Sequence, residues 1–203
     1  EEEVALLRQD KPAWVTAEAI PNHLLLNVDD YAELGTLAQM NPPLRKAADN
    51  AALWAGLGDG IIDFIATDHA PHTLEEKNLG YPRAPSGMPG VETSLPLMLT
   101  HMHAGRCTLA DIQKWMCYGP AHAYAIADKG KILEGWDADL TLVDMDVTQT
   151  VQNEKTFTKV KWSPYAGRAL RGWPVYTIVG GEIVFEQGRI RPGVLGKPLV
   201  FTQ

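Results

Sequence analysis

The chain has 203 residues, of which 45% are apolar and 21% charged, with a formal net charge of −7 and only two cysteines. The acidic balance argues against nucleic acid or an anionic membrane as a partner. No apolar run nears the roughly 18 residues needed to span a bilayer, and no basic-then-apolar start reads as a signal peptide. The length leaves room for one large domain or two small ones. Cys107 and Cys117 cannot build a disulfide framework, so a reduced, cytoplasmic chain is expected. After the acidic opening Glu1-Glu2-Glu3, residues 1–9 read as the end of a helix already under way. Trp14 to Ile20 follows as a strand closed by Pro21, and residues 27–40 carry a weak helical signal. Asn41-Pro42-Pro43 is a stiff break, because each proline holds its predecessor extended. A helix is expected from about Leu44 to Leu57, stopped by Gly58 and Gly60.

The run from Ile61 to Ala66 is short, apolar and rich in β-branched residues, the pattern of a buried parallel strand. It turns abruptly polar at Thr67-Asp68-His69-Ala70-Pro71-His72, and Pro71 puts these groups on a loop at the strand's C-terminal end. The order α-β-α-β implies a parallel sheet with crossover helices, a fold that places its chemistry at that end of the strands. Residues 73–90 read as a long loop with Pro82, Pro85 and Pro89. Helices follow over 91–104, over 109–117 with Thr108 as N-cap, and from Pro120 through Ile126. The tail from about 131 is mostly β: an alternating strand over 138–144, then a hairpin of 175–179 and 182–186 joined by Gly180-Gly181.

Asp68 at a strand end suits a metal ligand, a general base or an N-cap, and its two neighbouring histidines favour the functional readings. Three groups so close in sequence cannot all reach one ion. His23, expected on a strand end, reads as a structural hydrogen bonder, as do His101, His103 and His122. Asn41 is either a turn former or a rigidly presented amide. The glycine-rich turn at Ser86-Gly87 reads first as a loop that must bend twice, and alternatively as exposed backbone groups for a small polar ligand.

Taken together these motifs resemble a known family. Asn41-Pro42-Pro43-Leu44-Arg45, Thr67 through His72, Ala84-Pro85-Ser86-Gly87, Gly90-Val91-Glu92-Thr93-Ser94-Leu95-Pro96 and Gly135-Trp136-Asp137-Ala138-Asp139-Leu140 stand in the order seen in dihydroorotase of the class I type, in the cyclic amidohydrolase superfamily. The resemblance covers effectively the whole chain. It implies an α/β fold, the C-terminal part of a metal-dependent (β/α)8 TIM barrel over residues 1–130, with part of a small β-sandwich domain over 131–203. It implies reversible cyclisation of N-carbamoyl-L-aspartate to L-dihydroorotate in pyrimidine biosynthesis, with Zn2+ as cofactor (one or two ions in the full-length enzyme).

By the same resemblance Asp68 is a metal ligand and the catalytic proton shuttle, Asn41 and His72 contact substrate, and Ser86 and Gly87 contact it through their backbone. His69 and His23 belong to the motifs without an assigned role. The family's remaining metal ligands precede the region matched here, so the resemblance implies a mid-barrel start at Glu1, about three barrel strands, and a chain inactive by itself. A small-molecule substrate, a homodimer and aspartate transcarbamoylase are the partners it points to. Two other readings stay open: a hydantoinase- or allantoinase-like cyclic amidohydrolase, and a non-catalytic dihydroorotase-like scaffold for aspartate transcarbamoylase.

Overall fold

A computed structural model describes residues 1–202. Helix α1 (Glu2–Asp10) has acidic residues in its first turn, where the helix dipole favours them. Beyond it Lys11 folds back, its ammonium donating to the Asp63 carboxylate at 2.7 and 2.9 Å and to the Ile61 carbonyl at 2.8 Å. Asp63 also accepts the Ala17 N–H at 2.7 Å. This clasp holds together the starts of two parallel strands, β1 (Glu18–Ala19) and β2 (Phe64–Ile65), with Glu18 opposite Phe64 and Ala19 opposite Ile65.

Both strands are shorter than expected, and two parallel strands stand among the described residues where about three were expected. The strand expected over 14–20 is corrected to its last part. Residues 12–15 close a turn through the Val15 N–H to the Pro12 carbonyl at 2.9 Å, leaving Trp14 84% exposed. Pro21 does end β1, but it also opens helix α2 (Pro21–Leu25), because the first turn of a helix needs no N–H from it. His23 therefore sits on a helix and not on a strand end.

The weak helical signal over 27–40 resolves into α3 (Tyr31–Leu34) between two 3-10 turns, Val28–Asp30 and Gly35–Ala38. Helix α4 (Ala47–Gly58) starts three residues later than expected, where the Asp49 carboxylate accepts the Lys46 N–H at 3.0 Å. The long loop after β2 holds one short helix, α5 (Leu74–Lys77). Helix α6 (Ser94–His103) follows, then α7 (Leu109–Gln113) capped by Thr108 as expected, a π turn over Lys114–Tyr118, and α8 (Gly119–Ala123).

The tail forms one antiparallel sheet in the order β3 (Leu140–Thr150), β4 (Ala169–Val179), β5 (Glu182–Glu186), β6 (Arg189–Ile190). Gly180 and Gly181 take φ of 57° and 82°, the left-handed pair that a two-residue primed turn requires. The first half of β4 escapes the sequence reading because Gly172 and Pro174 argue against a strand. Pro174 is accommodated opposite Val143 next to a bulge, where a missing N–H costs the ladder least.

Two buried clusters form the core. One joins Ile20, Leu26, Met40, Leu44, Met88 and Leu97 to Trp162, Tyr165 and Leu170 from the tail. The other packs Val4, Leu24, Leu57, Ile62, Ile65, Met98, Leu99, Ile112 and Trp115. The tail is thus sewn to the helical part through the segment between β3 and β4, where the Tyr165 hydroxyl donates to Asn22 Oδ1 at 2.8 Å, both residues buried.

Candidate functional site

Beyond β2 the backbone leaves the sheet and turns sharply at Asp68, which has φ of 44° and an exposed side chain. Aspartate is among the few residues besides glycine that tolerate this left-handed conformation. Asp68 projects at the C-terminal end of a buried strand, with its neighbours held and its carboxylate open to solvent.

His69 does the holding. Its Nδ1 accepts the N–H groups of Gly90 at 3.1 Å and Val91 at 3.3 Å, so the ring proton lies on Nε2. His69 also pairs with Met88 in an isolated parallel bridge, reinforced by the Ala70 N–H to the Met88 carbonyl at 3.1 Å. His69, unassigned from the sequence, ties the Asp68 loop to the Ser86–Val91 loop.

His72 completes this junction. Its Nε2 donates to the Ser86 carbonyl at 3.1 Å, and its Nδ1 lies 3.8 Å from the Glu76 carboxylate. Glu76 is held in turn by the Thr73 capping box, and the hydrogen bonds from the Thr73 backbone and hydroxyl lower its carboxyl's proton affinity. The backbone carbonyl of His72 accepts the indole N–H of the buried Trp162 at 2.7 Å. Glu92 binds the same tail segment, accepting the N–H groups of Phe157 and Thr158 at 2.8 and 2.6 Å.

Gly87 is buried with φ of 133°, and a Cβ placed there would lie 2.4 Å from the Ala70 carbonyl oxygen and 3.3 Å from His72 Cδ2. Only glycine lets the two loops approach this closely. Asn41 and Ser86 are exposed and line one groove of about 600 Å³ together with Tyr31, Gln39, Met40 and Tyr81. His23 holds the floor of the Asn41 segment, its Nε2 donating to the Pro42 carbonyl at 2.9 Å.

Of the residues singled out from the sequence, the fold brings Asn41, His72, Ser86 and Gly87 to one junction. Asp68 stands beside it on the loop that carries His72, and of these five residues Asn41 and Ser86 line the groove while Asp68, His72 and Gly87 do not. No group of three or more His, Cys, Asp or Glu side chains is arranged to hold a metal ion among the described residues. Asp68 can supply one oxygen ligand, but a catalytic zinc takes about three protein ligands. The residues present therefore do not make a zinc site by themselves.

The largest omission of the sequence reading is Lys77, whose side chain is fully buried and whose Nζ donates to the carbonyls of Gln39, Pro85 and Gly87 at 2.9, 2.9 and 3.0 Å. The Thr73-x-x-Glu76 capping box was the available signal for the helix that carries it. Nothing local distinguishes a buried lysine from an exposed one. A second cleft of about 620 Å³ lies away from this junction, between Trp54, His101, Arg106 and Arg168. Burial, then the charges of Arg106 and Arg168, hold His101 below its ordinary pKa, which agrees with a structural histidine. Both cysteines are free, and burial raises each thiol.

The chain is 45% identical over 189 residues to a dihydroorotase of Anoxybacillus flavithermus, covering 92% of this chain and 44% of the relative. It is 44% identical over 192 residues to the Bacillus subtilis dihydroorotase, covering 93% of this chain and 45% of the relative. The chain thus spans a little under half the length of the curated relatives it matches. Among solved structures, L-hydantoinase (dihydropyrimidinase) from Arthrobacter aurescens superposes with a TM-score of 0.88 at 34% identity, covering 94% of this chain and 44% of that one. Dihydropyrimidinase from Brevibacillus agri gives 0.85 at 23% identity, a likeness of fold alone. The architecture is accordingly a portion of an amidohydrolase (β/α)8 barrel with a β-rich tail, as the sequence led us to expect. The amidohydrolase family model matches residues 18–184, which takes in β1, β2, the whole junction and most of the sheet, and the chain belongs to the amidohydrolase family.

Proposed function

We propose that this chain is part of a dihydroorotase, a cyclic amide hydrolase that interconverts N-carbamoyl-L-aspartate and L-dihydroorotate in pyrimidine biosynthesis. The observation that carries this reading is the junction beyond β2. There an exposed Asp68 carboxylate stands on the same loop as His72, and His72 is fastened to Ser86 at the rim of a groove that Asn41 shares. The 42–45% identity to proteins named dihydroorotase supports the choice of substrate.

In this reading the Asn41 amide, the His72 imidazole and the Ser86 backbone N–H bind and orient the ring and its carboxylate, while Gly87, whose own N–H goes to Gln39 and whose carbonyl goes to Lys77, shapes the segment behind them. Asp68 takes the proton of the attacking water and delivers it to the ring nitrogen as the C–N bond breaks. Zinc, when bound, would lower the pKa of that water and polarise the amide carbonyl. Asp68 is the one ligand this chain offers, and the rest of the set would come from the portion of the relatives that the chain does not span. A homodimer belongs to the same proposal, as does contact with aspartate transcarbamoylase. The charge and composition fit a cytoplasmic enzyme.

The test is hydrolysis of dihydroorotate with added zinc, first by the 203-residue chain and then by the chain combined with the complementary portion of a dihydroorotase barrel. We expect no turnover from the chain alone and turnover from the combination. Normal turnover by the chain alone would overturn the incomplete-site reading. A second reading, a hydantoinase-like enzyme, draws on the L-hydantoinase superposition at 34% identity. Rates of the combined protein on dihydroorotate, hydantoin and allantoin decide between them, dihydroorotate being fastest if the first reading holds.

A further inference from the structure

Among the described residues Lys77 is the one fully buried lysine. Taking an ammonium out of water costs several kcal/mol unless every proton finds an acceptor. Here all three do, and the acceptors are backbone carbonyls from two different loops. Gln39 lies two residues before Asn41, while Pro85 and Gly87 flank Ser86. The bonds around Gln39 tighten the same link: its carbonyl also accepts the Gly87 N–H at 2.9 Å, and its side-chain amide donates to the Ala84 carbonyl at 2.7 Å. Thr36 holds the base of the lysine's own helix, donating to the Lys77 carbonyl at 2.6 Å.

The carbonyls of residues 85, 86 and 87 therefore all point inward, to Lys77, His72 and Lys77 respectively. The helix that presents the ammonium begins two residues beyond His72, capped by Thr73. None of the ion pairs among the described residues includes Lys77. A cation with no anionic partner and three inward carbonyls fixes the separation of the segments that donate them. A neutral side chain of similar length would leave the Pro85 and Gly87 carbonyls without donors and the Gln39 carbonyl with the Gly87 N–H alone.

We propose that Lys77 is a positioning residue: it clamps the Asn41 segment to the Ser86-Gly87 segment and so sets the width of the groove between them. The clamp itself is a property of this chain. Its consequence for substrate affinity rests on the reading of these segments as substrate contacts given under the proposed function.

The first arm of the test is amide hydrogen exchange on the 203-residue chain. Lys77→Met should speed exchange of the Gly87 N–H by about tenfold or more, with a smaller change in the β4–β5 hairpin. Lys77→Ala should behave likewise and recover protection when a short alkylammonium salt is added, which a general loss of stability would not do. The clamp is overturned if Gly87 exchange is unchanged, if the hairpin and Gly87 accelerate equally, or if no alkylammonium restores protection. The second arm uses the combined enzyme, where Lys77→Met should raise KM for dihydroorotate by about tenfold while kcat changes by less than about threefold. Asn41→Ala serves as the reference. If Asn41→Ala raises KM and Lys77→Met does not, the positioning role is overturned. If neither raises KM while Gly87 exchange still accelerates, the clamp stands and the substrate reading of the two loops fails.

Discussion

The loop cluster beyond β2 and the antiparallel sheet β3–β6 hold their backbones in opposite ways. In the sheet, neighbouring strands pair main chain to main chain, and the β4–β5 hairpin closes over a two-residue turn. In the loop cluster, side chains and single backbone bonds reach far along the chain: His72 to Ser86 over 14 residues, Lys77 to Gln39 over 38, and Trp162 to His72 over 90. A ladder of repeated bonds degrades gradually, because each bond has neighbours that duplicate it. A junction of unique contacts fails when one side chain is lost. That sensitivity accompanies function, since loops carry the chemistry while regular elements support them.

Trp162→Ala removes a buried indole and its bond to the His72 carbonyl, and should destabilise the chain by about 3–5 kcal/mol in urea denaturation. A loss under about 1 kcal/mol would mean that the tail does not brace the loops.

Two glycines sharpen the contrast next. Gly87→Ala drives a methyl onto the Ala70 carbonyl and should cost about 3 kcal/mol from overpacking and backbone strain. Gly180→Ala meets nothing within 4 Å, so only its left-handed φ of 57° is strained, at about 1–2 kcal/mol. Equal losses in thermal or urea melts would remove the distinction between the two regions.

A smaller effect depends on pH. Burial pushes Lys77 down to about 8 from 10.5. Between those values the unfolded chain keeps a proton that the folded chain has released, so the unfolded state binds more protons and stability rises with pH, by at most about 1.4 kcal/mol per unit. Burial raises Tyr165 above its ordinary 10, which opposes the gain above pH 10. Urea midpoints between pH 8 and 10 should therefore climb in the parent relative to Lys77→Met, and parallel curves would contradict this.

The smallest stability effect belongs to Asp68→Asn. Asparagine also accepts the left-handed backbone, and the side chain is exposed, so stability should stay within about 0.5 kcal/mol. In the combined enzyme, turnover should nevertheless fall by about a hundredfold or more, because the amide cannot carry the proton. Retained turnover would remove Asp68 from the proposed mechanism.

Legibility in the sequence followed the same divide. The Gly180-Gly181 hairpin, the Thr108 cap and the buried run ending at Asp68 were readable because each depends on residues within a few positions of one another. The start of β4 was hidden because Gly172 and Pro174 contradict a strand locally, and the sheet absorbs them beside a bulge. Trp14 has strand propensity but no partner strand there, and it lies exposed instead.

By itself, then, the amino-acid sequence determined that a carboxylate and two imidazoles end a buried parallel strand, and its motifs pointed to the amidohydrolase family. Tertiary structure alone decided what each imidazole does: His69 binds the 90–91 backbone, His72 binds Ser86, and neither pairing follows from spacing. It alone turned Lys77, an ordinary residue on a short helix, into a fully buried cation between two loops. The physical reason is that periodicity and turn chemistry are local, whereas a buried charge is tolerated only where distant carbonyls converge to receive it.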